Sequence, residues 1–298
     1  MDYSQNTLRV LQTIPTDKLA ALNVILEQLQ VVDGISAIVL GGSYARGTQH
    51  PDSDIDIGLY YEENAPFDID QIRQIATASG TATVTGFYEW GAWVNGGAWI
   101  STNHGKIDFL YRNVDHVRRV IHNTRKGNLE LDFLQQPPFG FPSIIYLAET
   151  SICRPLFDPK GLVASLKALV DPYPPGIKES ITQSMLWGCE FTLSAARGFA
   201  TKGDLYNTVG CLTRALSFLT QVLFALNEIY FISDKKAIET IETFPLKPSD
   251  YTASVNRILA HAGSNAEELS APVLHLADLF HRVVDLTGGT YQPKFVLR

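Results

Sequence analysis

Between Leu40 and Tyr61 the chain reads LGGSYARGTQHPDSDIDIGLYY, and two of its acids, Asp54 and Asp56, alternate with Ile55, Ile57 and Leu59. Residues at i and i+2 of a strand project to one face, roughly 6–7 Å apart, close enough to share one Mg²⁺ or to bridge two. Mg²⁺ is a hard ion that takes oxygen ligands and often completes its shell with substrate phosphate oxygens. Just upstream, Gly41-Gly42-Ser43 follows an apolar run. Glycines let a backbone approach a phosphate, the Ser43 hydroxyl can donate to one, and a short helix opening over Tyr44-Ala45-Arg46 would aim free amide groups at an anion. Arg46 is the nearest cation for a phosphate contact. An anion cradle beside a carboxylate pair is the make-up of a nucleotide and metal site.

A third acid, Asp108, stands between Ile107 and Phe109 in a later alternating run, Lys106 to Tyr111. Nucleotidyl transfer needs in-line positioning and charge neutralisation, which two Mg²⁺ ions on three carboxylates would supply. Asp108 would then ligate metal or take the proton of the attacking hydroxyl; the bland alternative is an ion pair with Arg112. The order Gly-Gly-Ser, Ser-Asp-Ile-Asp-Ile and Lys-Ile-Asp-Phe-Leu resembles the DNA polymerase β-type nucleotidyltransferase superfamily over roughly Leu29 to Val120. The resemblance implies a small mixed-sheet catalytic domain and Mg²⁺-dependent attack on the α-phosphate of a nucleoside triphosphate with release of pyrophosphate. It assigns Gly42 and Ser43 to the triphosphate-binding turn, Asp54 and Asp56 to the metal, and Asp108 to the third carboxylate. A helical bundle after such a domain is similar to the arrangement of the kanamycin and lincosamide nucleotidyltransferases. In some of those the general base comes from the helical domain, which sets Glu149 and Glu190 beside Asp108 as candidates.

The elements that must position these residues follow from periodicity. Apolar positions Leu19, Leu22, Ile25 and Leu29 make Asp17 to Gln30 an amphipathic helix ended by Gly34, and Ile35 to Leu40 reads as a buried strand. Asp54 to Tyr61, Thr83 to Tyr88, Ala98 to Thr102 and Lys106 to Tyr111 read as strands; Asp68 to Ser79 and Val114 to Thr124 read as helices. The Pro- and aromatic-rich LQQPPFGFP, Leu134 to Pro142, marks a domain boundary. Beyond it come helices at Ile177 to Ala200, Leu205 to Phe231, Tyr251 to Ala262 and Glu267 to Leu286. The second carries a bundle seam of Val209, Leu212, Leu216, Leu219, Leu223, Leu226 and Tyr230. The fold class expected is α+β: periodicity gives mixed strands and helices over residues 1–135 and an all-α bundle over 143–298, and the resemblance implies that the first is a nucleotidyltransferase-like mixed sheet with flanking helices.

Two weaker features bear on substrate. WGAWVNGGAW, Trp90 to Trp99, is either a turn with core tryptophans around Asn95-Gly96-Gly97 or a rim that stacks on a base or sugar. Lys235, in the segment after the long helix, would supply a cation for the β- and γ-phosphates; two adjacent exposed lysines are the ordinary reading. The histidines show no metal-ligand spacing.

Composition bounds the partners. The chain has 298 residues, 45% hydrophobic, with 31 acids against 24 bases and a net charge of −7. Such a chain folds around a substantial core and disfavours affinity built on phosphate neutralisation, so broad nucleic-acid binding is not expected. Three widely spaced cysteines argue against a disulfide framework, and no export signal or membrane span is read, which fits the cytoplasm. The function expected is transfer of a nucleoside monophosphate, AMP from ATP, to a hydroxyl of a small molecule in an interdomain cleft. An aminoglycoside-like antibiotic would suit the acidic balance. The alternatives are transfer to tRNA or protein, and a non-catalytic toxin–antitoxin-type partner; a homodimer would be unsurprising.

Overall fold

The computed structural model describes residues 4–295, and the chain divides into two compact units. The first comprises residues up to Asn123, Leu131–Gln135 and Tyr146–Pro172; the second takes Thr124–Glu130, Gln136–Ile145 and the chain from Tyr173 onward. The first unit starts with α1 (Gln5–Leu11), α2 (Thr16–Leu29), β1 (Ala37–Leu40), α3 (Gly42–Arg46), β2 (Ile55–Tyr61) and α4 (Ile69–Ser79). After β3 (Thr81–Val84), β4 (Gly97–Thr102) and β5 (Gly105–Asn113), α5 (Val114–Arg125) leads into the connection. The connection holds two short strands, β6 (Leu131–Asp132) and β7 (Phe141–Pro142). Then follow α6 (Ile144–Ile152), β8 (Arg154–Phe157) and α7 (Leu162–Val170).

Six strands form one mixed sheet in the order β3-β4-β5-β2-β1-β8. Only β2 and β5 run parallel, pairing Ile55 with Ile107, Asp56 with Asp108 and Ile57 with Phe109; the other neighbours are antiparallel. Alternation does the sorting. Ile55, Ile57, Leu59, Ile107, Phe109 and Tyr111 are all fully or nearly fully buried, and they share a core with Leu22, Ile25, Leu26 and Leu29 of α2 and Ile72 and Ile75 of α4. Each such side chain contributes about 2 kcal/mol by leaving water, so the register that buries the isoleucines also sends the intervening acids to the opposite face. A one-residue slip would reverse both.

The α+β class is as expected, and most element bounds agree within two or three residues. The largest difference in the first unit is the boundary. Tyr146–Pro172, expected in the helical half, belongs to the first unit because β8 pairs antiparallel with β1, Leu40 facing Arg154. Nothing in RPLF marks it as a strand without its partner. The strand expected over Thr83 to Tyr88 ends at Val84, and Tyr88 takes a left-handed conformation with φ 61°.

The second unit is helical: α8 (Pro175–Ala200), α9 (Leu205–Leu226), α10 (Ala237–Ile241), α11 (Tyr251–Ala260) and α12 (Ala266–Asp285). Asp204 caps α9 by accepting from the Asn207 N–H at 3.1 Å. This helix stops five residues short of the expected Phe231. The Asn227 side chain donates to Leu223 O and Leu246 O and accepts from the Leu246 N–H, while Glu228 turns left-handed at φ 56°. By length and composition α9 is apolar enough to cross a bilayer, but 56% of its apolar window is buried inside the protein, as a bundle's core helix would be.

Candidate active site on the sheet

Across one face of the sheet, the sequence pattern and the strand pairing place a row of polar groups. Asp108 of β5 pairs in register with Asp56 of β2, and on its other side with Trp99 of β4. Gly41 donates its N–H to Asp56 O at 2.8 Å, so the Gly41-Gly42-Ser43 turn stands at the β1 end of the same row. Adjacent strands lie about 4.8 Å apart, which sets the row's spacing. Asp54 precedes β2 by one residue, and all three acids are half-buried.

The turn explains why glycine is needed there. Gly42 has φ +59°, and a Cβ built on it would sit 1.6 Å from Asp56 Oδ2 and 2.5 Å from its Cγ. The backbone therefore passes directly beside the Asp56 carboxylate. The helix expected over Tyr44-Ala45-Arg46 begins at Gly42 and ends at Arg46, closed by left-handed Gly47 at φ 72°. Tyr44 and Ala45 are buried and anchor the turn; Arg46 is exposed at its end.

Asp108 is the electrostatic centre. Burial, reinforced by the negative charge of Asp54 and opposed by Lys106, raises its carboxyl to about 6. Its Oδ1 is buried with no hydrogen-bond partner among the described residues. The alternative reading, an ion pair with Arg112, does not form. Arg112 is 6% exposed and makes a bidentate pair with Glu149, at 2.9–3.0 Å.

One residue went unnoticed in the sequence. Lys18 is 4% exposed, donates from Nζ to Ser53 O at 2.5 Å, and sits 5.7 Å from the centroid of the Tyr44 ring. A Cβ on Gly105 would meet its Cε at 2.8 Å. Lys18 thus touches the segment before Asp54, the helix after the glycine turn, and the start of the Asp108 strand. Its spacing to Leu22, Ile25 and Leu29 puts it on the buried face of α2, so the signal was present in the same periodicity that located the helix.

The other candidates separate. Glu149 is committed to Arg112. Glu190, in the second unit, is fully buried and accepts from the Tyr291 hydroxyl and the Lys294 N–H, each at 2.5 Å, and from the Phe295 N–H. It is a structural acid that ties the 291–295 segment to α8, and it is withdrawn as a base candidate. Lys235 is an exposed residue of the second unit, in the segment before α10. The tryptophans of the 90–99 segment are not core: Trp99 is 49% exposed, with Trp90 packed on it at a centroid distance of 4.0 Å. Asn95, left-handed at φ 69°, shapes the segment by donating to the Tyr61 hydroxyl at 2.8 Å and accepting from the Tyr88 N–H at 2.9 Å.

One comparison with known proteins bears on the chemistry. Residues 22–89 match the model of the nucleotidyltransferase domain, a span that contains the glycine turn, Asp54 and Asp56 and stops short of Asp108. That match supports nucleotidyl transfer as the general chemistry. A crystal structure of a nucleotidyltransferase-like protein from Exiguobacterium sibiricum 255-15 is similar with a TM-score of 0.43 and 10% identity, over 91% of this chain and 77% of that one. No curated protein matches the chain.

A domain of this kind implies a divalent cation and a nucleoside triphosphate. Among the described residues, no group of three or more His, Cys, Asp or Glu side chains could by itself hold a metal ion. Asp54 acts unfavourably on Asp108, as like charges do without a cation between them. Mg²⁺ needs few protein carboxylates when phosphates complete its shell. The buried Oδ1 of Asp108, without a hydrogen-bond partner among the described residues, and the Asp54 carboxylate that acts on it are oxygen donors that fit a divalent cation.

Proposed function

We propose that the protein transfers a nucleoside monophosphate, AMP from ATP, to a hydroxyl of a small-molecule acceptor and releases pyrophosphate. The observation that carries this reading is the row itself: a glycine turn whose backbone leaves no room for a Cβ beside Asp56, and Asp56 in register with Asp108. Asp54 and Asp56 would hold Mg²⁺, which when bound neutralises phosphate charge and aligns the triphosphate. The Ser43 hydroxyl and Arg46 contact the phosphates, and Gly42 allows their close approach. The acceptor oxygen forms a bond to the α-phosphorus as the bond from that phosphorus to the departing pyrophosphate breaks. The hydroxyl proton passes to the Asp108 carboxylate, which stands in register with Asp56 on the neighbouring strand. An aminoglycoside-like acceptor is in keeping with the net charge of −7.

Calorimetric titration with ATP and Mg²⁺ tests the reading. Binding that requires Mg²⁺ and is lost in Asp56→Asn, together with pyrophosphate release on adding an aminoglycoside panel, is expected. Absence of triphosphate binding in the presence of Mg²⁺ refutes nucleotidyl transfer; binding with release only on adding tRNA or protein refutes the small-molecule acceptor.

A further inference from the structure

The function above leaves the pair of Trp90 and the exposed Trp99 unused, although Trp99 lies on the same face as the acids. Trp99 is the direct cross-strand partner of Asp108 and therefore projects to the same side of the sheet. Gly97, two residues earlier on that face, has no room for a side chain: a Cβ there would meet Phe109 O at 1.8 Å and the Trp90 ring at 3.1 Å. Trp90 thus lies over Gly97 and against Trp99, bracing an indole that is half-exposed in the middle of a strand, where a large apolar ring costs free energy unless something covers it. Thr83 of β3, exposed, continues the row beyond Trp99.

The order of the row assigns a role. In-line displacement sets the attacking oxygen and the leaving pyrophosphate on opposite sides of the α-phosphorus. With the triphosphate at the Gly41-Gly42-Ser43 turn, the departing group lies toward β1, so attack comes from the side of Asp108. What stands beyond Asp108, one strand further, is Trp99. We propose that Trp99, braced by Trp90, is the platform on which the acceptor lies, and that the acceptor is a cyclic polyol, a sugar or a cyclitol. This inference rests on the nucleotidyl-transfer reading for its direction. The chemical class follows from the pairing of a flat apolar ring with a carboxylate: a sugar or cyclitol presents a face of C–H groups to the indole and an edge of hydroxyls to the acid. An aromatic alcohol would satisfy the indole but offers no such edge of several hydroxyls.

The test uses methyl α-glucopyranoside, myo-inositol and kanamycin as ring polyols and 4-nitrobenzyl alcohol as the aromatic control. Saturation-transfer NMR on the nucleotide-free protein is expected to show ring C–H contacts for at least one polyol, lost in Trp99→Ala and kept in Trp99→Phe. In pyrophosphate release, Trp99→Ala is expected to raise the acceptor KM about ten-fold, as loss of one stacking ring does, with the KM for ATP unchanged. Thermal melting of both variants verifies that they fold; should Trp99→Ala fail to fold, Trp99→Thr takes its place. No polyol contact in the wild type at 10 mM, equal contact in the alanine variant, preference for the aromatic alcohol, or a KM for ATP that rises in step each overturns the proposal. Polyol contact in a protein that binds no ATP with Mg²⁺ would instead refute the nucleotidyl-transfer reading and leave the ring platform standing.

Discussion

Replacing Gly42 by alanine separates backbone cost from catalytic cost at one atom. The added Cβ would lie 1.6 Å from Asp56 Oδ2, against an ordinary contact distance of 3.4–4 Å, so the carboxylate must swing away by roughly 2 Å. The acid is short and half-buried, and the atoms that must move belong to a side chain and not to the backbone, so the fold tolerates the movement. What remains is the conformational term: alanine at φ +59° costs about 1–2 kcal/mol relative to glycine. For a protein of this size each kcal/mol lowers Tm by about 2–4 °C, giving an expected fall of roughly 2–8 °C. Catalysis suffers far more, because displacing a metal-holding or positioning group by an ångström costs about a hundred-fold. The assay is acceptor-dependent pyrophosphate release at 20 °C, well below either transition, beside a melting curve. A Gly42→Ala protein that melts a few degrees lower yet turns over at more than a third of the wild-type rate would falsify the placement of Asp56 in the reaction.

Two further predictions follow from the same row. Because burial and Asp54 raise the Asp108 carboxyl from 3.8 to about 6, the folded state binds its proton more tightly than the unfolded chain does, and its contribution to stability falls as pH rises through roughly 4 to 6. In metal-free buffer Asp108→Asn should therefore gain stability over wild type at pH 7, with the difference vanishing below pH 4, while losing pyrophosphate release; denaturant melts at several pH values check the sign. Lys18→Met removes the bond to Ser53 O and leaves that carbonyl unpaired, an expected loss of about 1–2 kcal/mol in denaturant titration. Activity should fall more than stability alone explains, because the segment leading into Asp54 loses its tether.

The site was legible where chemistry and periodicity coincide. Asp54, Asp56 and Asp108 could be placed on one face because each alternates with buried isoleucine or phenylalanine, and the pattern that buries one set exposes the other. Lys18 was hidden in plain periodicity, since a cation on an apolar helix face is ordinarily dismissed as solvated. Glu149 and Glu190 were indistinguishable from catalytic acids by sequence, because what disqualifies them is partnership: Arg112 from 37 residues away and the 291–295 segment from about a hundred. The early end of α9 was equally invisible, being set by the Asn227 side chain reaching Leu246.

The strand β8 has a consequence for how the sheet is made. One flank of β1 is covered by residues 154–157, which are synthesised more than a hundred residues after it. Until they leave the ribosome, β1 presents a short, wholly apolar edge with its amides and carbonyls open to other chains. A fragment cut at the proline-rich connection, residues 1–135, would hold every acid of the site and still carry that open edge. The unit that carries the candidate site is therefore not contiguous in sequence, and its isolated expression should begin with the chain through Pro172.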